Sequence, residues 1–159
     1  MDFDTGSSDI WVPSNKCSMC GNHPLFNESK SSTLNLTVPQ DASSTSSPYS
    51  NMTDGNGTWT LQYGDGSAVQ GVKARDTITV GNLTVKNQLF GLASKVSAQF
   101  IRDPKLDGIF GLGFGSLSLM GSKKSFVENL KDQGVIKNAI ASFYLSESKR
   151  GGQLVIFLD

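Results

Sequence analysis

The sequence has too few cysteine and histidine residues for most metal or redox sites. Its only cysteines are Cys17 and Cys20 and its only histidine is His23, so it cannot supply the four Cys or His ligands of a structural zinc ion. A thioredoxin-type dithiol starts a helix within a βαβ unit, and that pattern is absent here. A small disulfide between Cys17 and Cys20 is therefore predicted, and it indicates an oxidising compartment.

Neither sign of charge is in excess, and there is no long apolar run. The 14 basic and 14 acidic residues give a formal net charge of +0, so nothing electrostatic favours nucleic acid or an anionic membrane as a partner. No stretch approaches the length of about eighteen apolar residues that a membrane-spanning helix needs. The N-terminus lacks the charged-then-apolar pattern of a secretory signal. A hydrophobic fraction of 37% over 159 residues suits one domain with a sizeable core.

Asparagine is frequent in the acceptor pattern for N-glycosylation, Asn-x-Ser/Thr. Such triplets begin at Asn27, Asn35, Asn51, Asn56 and Asn82. Most of them lie in polar, turn-rich sequence, where a glycan would stand in solvent. Together with the predicted disulfide, they lead us to expect passage through the secretory pathway.

The most informative stretch is Phe-Asp-Thr-Gly-Ser-Ser-Asp-Ile-Trp-Val-Pro-Ser at positions 3–14. Asp4 precedes a tight turn at Gly6, where backbone N–H groups can approach its carboxylate. The hydroxyls of Thr5 and Ser7 are expected to orient this acid, as a general base that activates water requires. An Asp-Thr-Gly triplet alone is often a plain turn. All twelve residues in order, however, resemble the active-site loop of the pepsin-like aspartic peptidases.

Residues 58–71 combine the alternation of a half-buried strand with a Gly-Asp-Gly turn, which predicts a β-hairpin. In the family that the acid loop resembles, a Tyr-Gly-x-Gly-Ser hairpin is the flap that closes over the bound peptide. The resemblance places Tyr63 beside the reactive carbonyl of the substrate. It also implies that Trp11 forms a hydrogen bond with Tyr63. It assigns Gly64 and Asp65 to hydrogen bonds with the substrate. The alternative is that the aromatic residues of this strand only form one face of the core.

Residues 107–114, Asp-Gly-Ile-Phe-Gly-Leu-Gly-Phe, are rich in glycine but do not fit a nucleotide-binding loop. Ser116 stands where the last glycine of G-x-G-x-x-G belongs, and no Lys-Ser/Thr pair directly follows. The stretch resembles the Asp-Gly-Ile-Leu-Gly-Leu-Gly segment of the same peptidases. That resemblance implies that Ile109 and Phe110 pack beneath the catalytic loop and support Asp4, and that Gly111 permits a close backbone approach.

The remaining patterns predict an all-β fold with one or two short helices. Two β-branched runs joined at Gly81 and Asn82 predict a second hairpin. A further buried strand is predicted over residues 88–93. The last two strands are predicted over residues 142–145 and 153–157. A capping box formed by Ser125 and Glu128 predicts one helix that ends at Gly134. By resemblance, residues 1–159 are part of the N-terminal lobe of a pepsin-like acid protease, a half-barrel.

The resemblance implies aspartic endopeptidase activity on a peptide or protein substrate, with no metal and no cofactor. In that mechanism two carboxylates share one proton, and the ionised one activates water while the other polarises the peptide carbonyl. This chain supplies one such acid, Asp4, because none of its later aspartates lies in an Asp-Thr/Ser-Gly motif. We expect a C-terminal lobe, missing here, to supply the second acid. The family's first N-terminal strands are also missing, so this chain alone is expected to be inactive.

Two other hypotheses stay open at this point. A homodimer would let each chain contribute one Asp4. A catalytically inactive half-lobe would bind an extended peptide without cleaving it. For each of the three hypotheses, the disulfide, the glycosylation triplets and the resemblance indicate a secreted or lysosomal location, with no insertion into a membrane.

Overall fold

The computed structural model of the chain describes residues 1–36, 57–147 and 151–156. The strands are β1 (Asp2–Asp4), β2 (Ile10–Pro13), β3 (Thr58–Gln62), β4 (Ala68–Val80), β5 (Leu83–Val96), β6 (Ile109–Gly111), β7 (Ala141–Tyr144) and β8 (Gln153–Ile156). The helices are α1 (Ala98–Arg102) and α2 (Phe126–Asp132), and Glu28–Lys30 and Gly115–Leu117 form single 3-10 turns. The prediction of an all-β fold with one or two short helices is confirmed.

Six of the strands form one sheet in the order β1-β6-β2-β5-β4-β3. Strand β6 lies between β1 and β2, parallel to the first and antiparallel to the second. The chain therefore leaves the sheet after β1, returns as β2, and leaves a gap that β6 fills from a distant part of the sequence. Strands β7 and β8 form a separate antiparallel pair.

The longest feature is the hairpin of β4 and β5, which turns at Gly81 and Asn82 as predicted. Residues 88–93 do not form a separate strand, because they continue β5 in register with β4. The register shifts between Gln70 and Gly71 and again between Asp76 and Ile78. Bulges of this kind bend long strands and increase their twist, so two strands of this length can curl around the core.

The central strands are buried on both faces. Ile10 and Phe110 lie in one hydrophobic cluster, with α2 packed against it. Their neighbours Trp11 and Ile109 lie in a second cluster that also contains Trp59. Successive side chains of a strand point to opposite faces, so β2 and β6 each contribute to both clusters and have no polar face. This explains the continuous apolar runs in these segments.

Helix α2 closes the first cluster and begins at the predicted capping box. The Ser125 hydroxyl accepts a hydrogen bond from the Glu128 N–H, and the Glu128 carboxylate accepts one from the Ser125 N–H. The chain leaves the helix at Gly134 with φ of 71°, a conformation that glycine adopts without strain. In the described ranges, no helix is long and apolar enough to span a membrane.

Cys17 and Cys20 form the predicted disulfide. Among the predicted glycosylation residues, Asn35 and Asn82 are exposed. Asn27 is half-buried, and its side-chain oxygen accepts hydrogen bonds from the backbone and hydroxyl of Ser29. Asn51 and Asn56 lie outside the described residues, so modification at all five asparagines remains a prediction.

Candidate active site

Asp4 ends β1, and both oxygens of its carboxylate are held by the turn that follows. Oδ1 accepts a 2.8 Å hydrogen bond from the Gly6 N–H, and Oδ2 accepts a 2.6 Å bond from the Ser7 hydroxyl. Asp4 is half-buried, so part of the residue remains accessible to solvent. Hydrogen bonds to an ionised carboxylate are stronger than neutral ones, and two of them fix the orientation of the acid.

Thr5 does not orient the acid, contrary to the expectation from its position. Its side chain is exposed, and no hydrogen bond joins its hydroxyl to Asp4 in the described structure. The turn directs this side chain to an open cavity of about 370 Å³ that Phe114, Ile140 and Phe143 also line. Of the two hydroxyls considered, only that of Ser7 reaches the carboxylate.

The glycine-rich segment packs directly against the acid loop. Leu112 N–H donates to the Asp4 carbonyl and Gly113 N–H to the Ser7 carbonyl, each at 2.8 Å. A Cβ on Gly111 would lie 2.4 Å from the carbonyl carbon of Ser8, closer than any side chain tolerates. The absence of a side chain at Gly111 therefore allows the two backbones to meet.

Ile109 and Phe110, which the resemblance places beneath the loop in support of Asp4, lie in different hydrophobic clusters. Phe110 lies in the first cluster, with its ring centroid 5.4 Å from that of Phe3, whereas Ile109 lies in the second cluster with Trp11. Neighbouring residues of a strand face opposite sides, so the two side chains lie on opposite faces of the sheet.

The hairpin of β3 and β4 brings Tyr63 to the acid loop. The Trp11 indole N–H donates a 2.8 Å hydrogen bond to the Tyr63 hydroxyl, and the ring of Phe100 packs edge-on against both aromatic rings. Burial raises the pKa of Tyr63 far above 10, and the negative charges of Asp9 and Asp4 raise it further. The phenol therefore stays protonated and keeps an O–H donor close to the acid loop.

At the tip of this hairpin, the backbone turns between Tyr63 and Ser67. Asp65 Oδ1 accepts hydrogen bonds from the Ser67 N–H and hydroxyl, which hold the pKa of the exposed Asp65 carboxyl below its usual value. One oxygen of Asp65 is thus used by the turn itself. Gly64 is exposed, and a Cβ there would meet nothing within 4 Å. A peptide chain can therefore approach the Gly64 backbone.

Asp9 is a residue of the acid loop that the sequence analysis did not single out. Its buried carboxylate accepts hydrogen bonds from the Ser118 hydroxyl at 2.5 Å and from the N–H groups of Leu119 and Met120 at 2.7 and 3.3 Å. Burial raises the pKa of Asp9 above its ordinary 3.8, although these bonds act in the opposite direction. Asp9 anchors the end of the loop to a segment more than 100 positions away. The one sequence feature that could have pointed to Asp9 is its position as an acid directly before an apolar strand.

His23 was considered only as a metal ligand. Its Nδ1 lies 3.1 Å from Asp107 Oδ1, and its Nε2 lies 3.0 Å from the Phe100 carbonyl oxygen. Both ring nitrogens thus face protein acceptors, and the side chain ties the disulfide loop to α1. Within residues 1–36, 57–147 and 151–156, no three His, Cys, Asp or Glu side chains are grouped in a way that could hold a metal ion.

A clamped acid beside a hydrogen-bonded tyrosine matches the family suggested by the motifs, and comparison with known proteins decides the question. The sequence model described as eukaryotic aspartyl protease matches residues 1–157. The chain belongs to this family. Rhizopuspepsin-3 of Rhizopus niveus is 38% identical over 153 residues, which cover 96% of this chain and 34% of that protein. Pepsin A of Bos taurus is 37% identical over 159 residues, which cover 99% of this chain and 37% of that protein.

The aspartyl protease chain described here spans about a third of the length of the curated relatives that it matches. The part of the family that this chain matches contains the acid loop, the β3–β4 hairpin and the glycine-rich segment.

Proposed function

We propose that this chain forms one half of the active site of an aspartic endopeptidase, with Asp4 as one of two catalytic carboxylates. The observation that carries the proposal is the double clamp on the Asp4 carboxylate by Gly6 and Ser7. A carboxylate held in one orientation, on a residue that stays partly accessible to solvent, suits a group that must take a proton from water. The Tyr63 hydroxyl, held by a hydrogen bond from Trp11, adds a positioned polar group that feels the charge of Asp4.

The second carboxylate is proposed to come from another lobe. Two adjacent carboxyl groups share one proton, because ionising both would place two negative charges close together. In that arrangement the ionised acid removes a proton from the attacking water, and the protonated acid donates a hydrogen bond to the peptide carbonyl. The water oxygen bonds to the carbonyl carbon and gives a tetrahedral diol. A carboxyl group of the pair then donates a proton to the peptide nitrogen, and the C–N bond breaks to release an amine and a new carboxyl group. Ser7 and Gly6 keep Asp4 aligned through both steps.

The proposed substrate is an extended peptide between the acid loop and the hairpin tip. The exposed Gly64 backbone offers hydrogen-bonding groups there. The Asp65 carboxylate oxygen that the turn does not use offers a further acceptor. Gly111, Ile109 and Phe110 are proposed to support the loop and not to contact substrate. Cys17 and Cys20 stabilise the chain that follows β2.

The decisive experiment compares two variants of the protein that carries these residues. Asp4→Asn keeps the shape of the side chain but not its basicity, and we expect peptide hydrolysis at acidic pH to fall by about 10²–10⁴-fold. Asp2→Asn, on the same strand and exposed, is the matched control and should keep its activity. Full activity of the Asp4→Asn variant would overturn the proposal.

The same assay separates the other two hypotheses. A specific rate that rises with the concentration of the chain alone would indicate that a second copy supplies the other acid. Saturable binding of a peptide with no hydrolysis, even after the rest of the protein is present, would indicate a binding module.

We also propose a secreted or lysosomal location. Disulfides persist in oxidising compartments, and Cys17 and Cys20 are paired. The exposed positions of Asn35 and Asn82 are compatible with attached glycans. Enzymatic removal of N-glycans from the protein purified from its host should increase its electrophoretic mobility, and an unchanged mobility would contradict the proposal.

A further inference from the structure

A pocket far along the chain from the acid loop collects positive charge from three separate segments. Arg75 of β4, Lys86 of β5, and Lys123 and Lys124 of the loop before α2 line a cavity of about 300 Å³. Asn129 of α2 and Gln133, which directly follows that helix, also line this cavity. We call this group the basic pocket. The whole chain has 14 basic and 14 acidic residues, so four cations around one cavity are a local departure from an even balance.

Few carboxylates neutralise these cations. Lys124 pairs with Asp132 and also acts on Glu128, whose carboxylate is occupied by the N–H groups of Ser125 and Gly115. Arg75, Lys86 and Lys123 form no ion pair within the described residues. Like charges held close together repel each other. An anion in the cavity would relieve that repulsion.

The walls of the basic pocket are held in place by hydrogen bonds that do not involve the ammonium groups. Gln133 accepts from the Lys86 N–H and donates to the Lys86 carbonyl, both at 2.9 Å. Asn129 donates a 2.9 Å bond to Gln88. These bonds join α2 to β5, so the two sides of the cavity are fixed before any ligand arrives. Preformed sites lose less entropy on binding.

Arg75 is positioned by an unusual backbone conformation. Its Nη1 donates a 3.1 Å hydrogen bond to the carbonyl of Asn87. Asn87 has φ of 57°, and within the described ranges it is the one residue besides glycine with positive φ. Such conformations cost energy and occur often at binding sites. Here the conformation turns the Asn87 carbonyl towards the guanidinium, which is half-buried and has further N–H groups to donate.

We propose that the basic pocket binds a phosphate or sulfate group, either as the free ion or as a monoester. A guanidinium fork and several ammonium groups match the geometry and charge of a tetrahedral oxyanion. The cavity volume exceeds that of the anion alone, which leaves space for the first atoms of an attached group. The described lining contains no aromatic side chain on which a nucleic acid base could stack.

The test is a titration of the isotope-labelled 159-residue chain, followed by backbone amide NMR shifts near pH 7, where a phosphate ester carries close to two charges. Inorganic phosphate, inorganic sulfate and glucose 6-phosphate are added separately, with sodium chloride at equal ionic strength as the control. We expect saturable shifts at Lys86, Asn87 and Lys123 with the oxyanions and not with chloride. Equal shifts with chloride would overturn the proposal, because simple screening would then explain them.

A charge-matched pair of double variants locates the site. Lys86→Gln with Lys123→Gln should weaken phosphate binding at least about tenfold, as expected from the loss of charge-assisted bonds. Lys30→Gln with Lys105→Gln removes the same charge from exposed positions outside the pocket and should leave the affinity within about twofold. Equal affinities of both double variants would contradict the proposal, as would the absence of saturable shifts with all three oxyanions.

Glucose 6-phosphate and inorganic phosphate also distinguish the two sources of the anion. Affinity for the sugar phosphate at least about tenfold higher, with shifts that extend to Asn129 and Gln133, supports a monoester as the ligand. Equal affinities, with shifts confined to the basic residues, support recognition of the free ion. The proposal is independent of catalysis, because no residue of the basic pocket belongs to the acid loop or to the tip of the β3–β4 hairpin between Tyr63 and Ser67.

Discussion

The indole Nε1 of Trp11 donates a 2.8 Å hydrogen bond to the hydroxyl of Tyr63, 52 positions further along the chain. This bond joins β2, which follows the acid loop, to the tip of the β3–β4 hairpin. Phe100 packs edge-on against both rings. The position of the hairpin tip relative to Asp4 therefore depends on the contact between Trp11 and Tyr63. The burial of these two side chains does not by itself reveal this role.

A double-mutant cycle will measure this bond. Trp11→Phe and Tyr63→Phe each remove it, so the second substitution should cost less in the background of the first. We expect a coupling free energy of about 0.5–1.5 kcal/mol in chemical denaturation, typical of one hydrogen bond. Additivity of the two single effects would show that the bond contributes nothing to stability.

Ser7→Ala tests the clamp on the catalytic carboxylate. Loss of the 2.6 Å bond to Asp4 Oδ2 should lower kcat about 10- to 100-fold with little change in KM, because the acid is misaligned while the substrate contacts persist. Ser8→Ala is the matched control, since the buried Ser8 hydroxyl has no hydrogen-bond partner within the described structure. Equal losses in the two variants would refute a specific role for Ser7.

Gly111→Ala tests the contact between the glycine-rich segment and the acid loop. The new methyl group would lie 2.4 Å from the Ser8 carbonyl carbon, so the backbones must separate, and we expect a loss of about 1–3 kcal/mol or more in the free energy of unfolding. Gly64→Ala adds the same methyl group where nothing lies within 4 Å. That variant should change stability by less than about 1 kcal/mol. A comparable loss in both would contradict the close approach at Gly111.

Features formed by neighbouring residues were predictable from local patterns, whereas features formed by distant residues were predictable only where the family resemblance supplied them, as for the hydrogen bond between Trp11 and Tyr63. The hairpin turn at Gly81 and the capping box of Ser125 and Glu128 follow from local patterns. The insertion of β6 between β1 and β2 depends on a pairing of three-residue strands about a hundred positions apart, which no periodicity encodes. The acid loop could be located from the family resemblance, because its motif is a run of residues in a fixed order.

The direction of individual side chains was the least predictable property. Thr5 and Ser7 both carry hydroxyls two residues apart in the same turn, yet only Ser7 reaches Asp4. The partners of Asp9 lie 109 to 111 positions away, in a segment that has no motif of its own. The basic pocket likewise draws its cations from three segments. The partners of Asp9 and the basic pocket arise only when the sheet has brought distant segments together.

The buried Asp9 carboxyl should make the stability of the protein depend on pH. Burial raises its folded-state pKa above 3.8, so the folded protein binds a proton at Asp9 more tightly than the unfolded chain does. This contribution to stability is complete below about pH 3.8 and is lost as the pH rises through the raised pKa. Asp9→Asn removes the titration and keeps an oxygen for the N–H groups of Leu119 and Met120. Its free energy of unfolding should therefore fall less between about pH 4 and pH 7 than that of the wild type.

Two further variants separate the titration of Asp9 from its role as an acceptor. Asp9→Ala leaves the Ser118 hydroxyl and two buried N–H groups without their acceptor, so it should lose about 3 kcal/mol or more at every pH. Asp2→Asn removes the same charge from an exposed position and should leave the difference in stability between pH 4 and pH 7 as in the wild type. Denaturant unfolding measured at several pH values gives all four curves. If the Asp9→Asn curve runs parallel to that of the wild type, Asp9 does not titrate differently in the two states, and burial of its carboxyl is fully offset by the three hydrogen bonds it accepts.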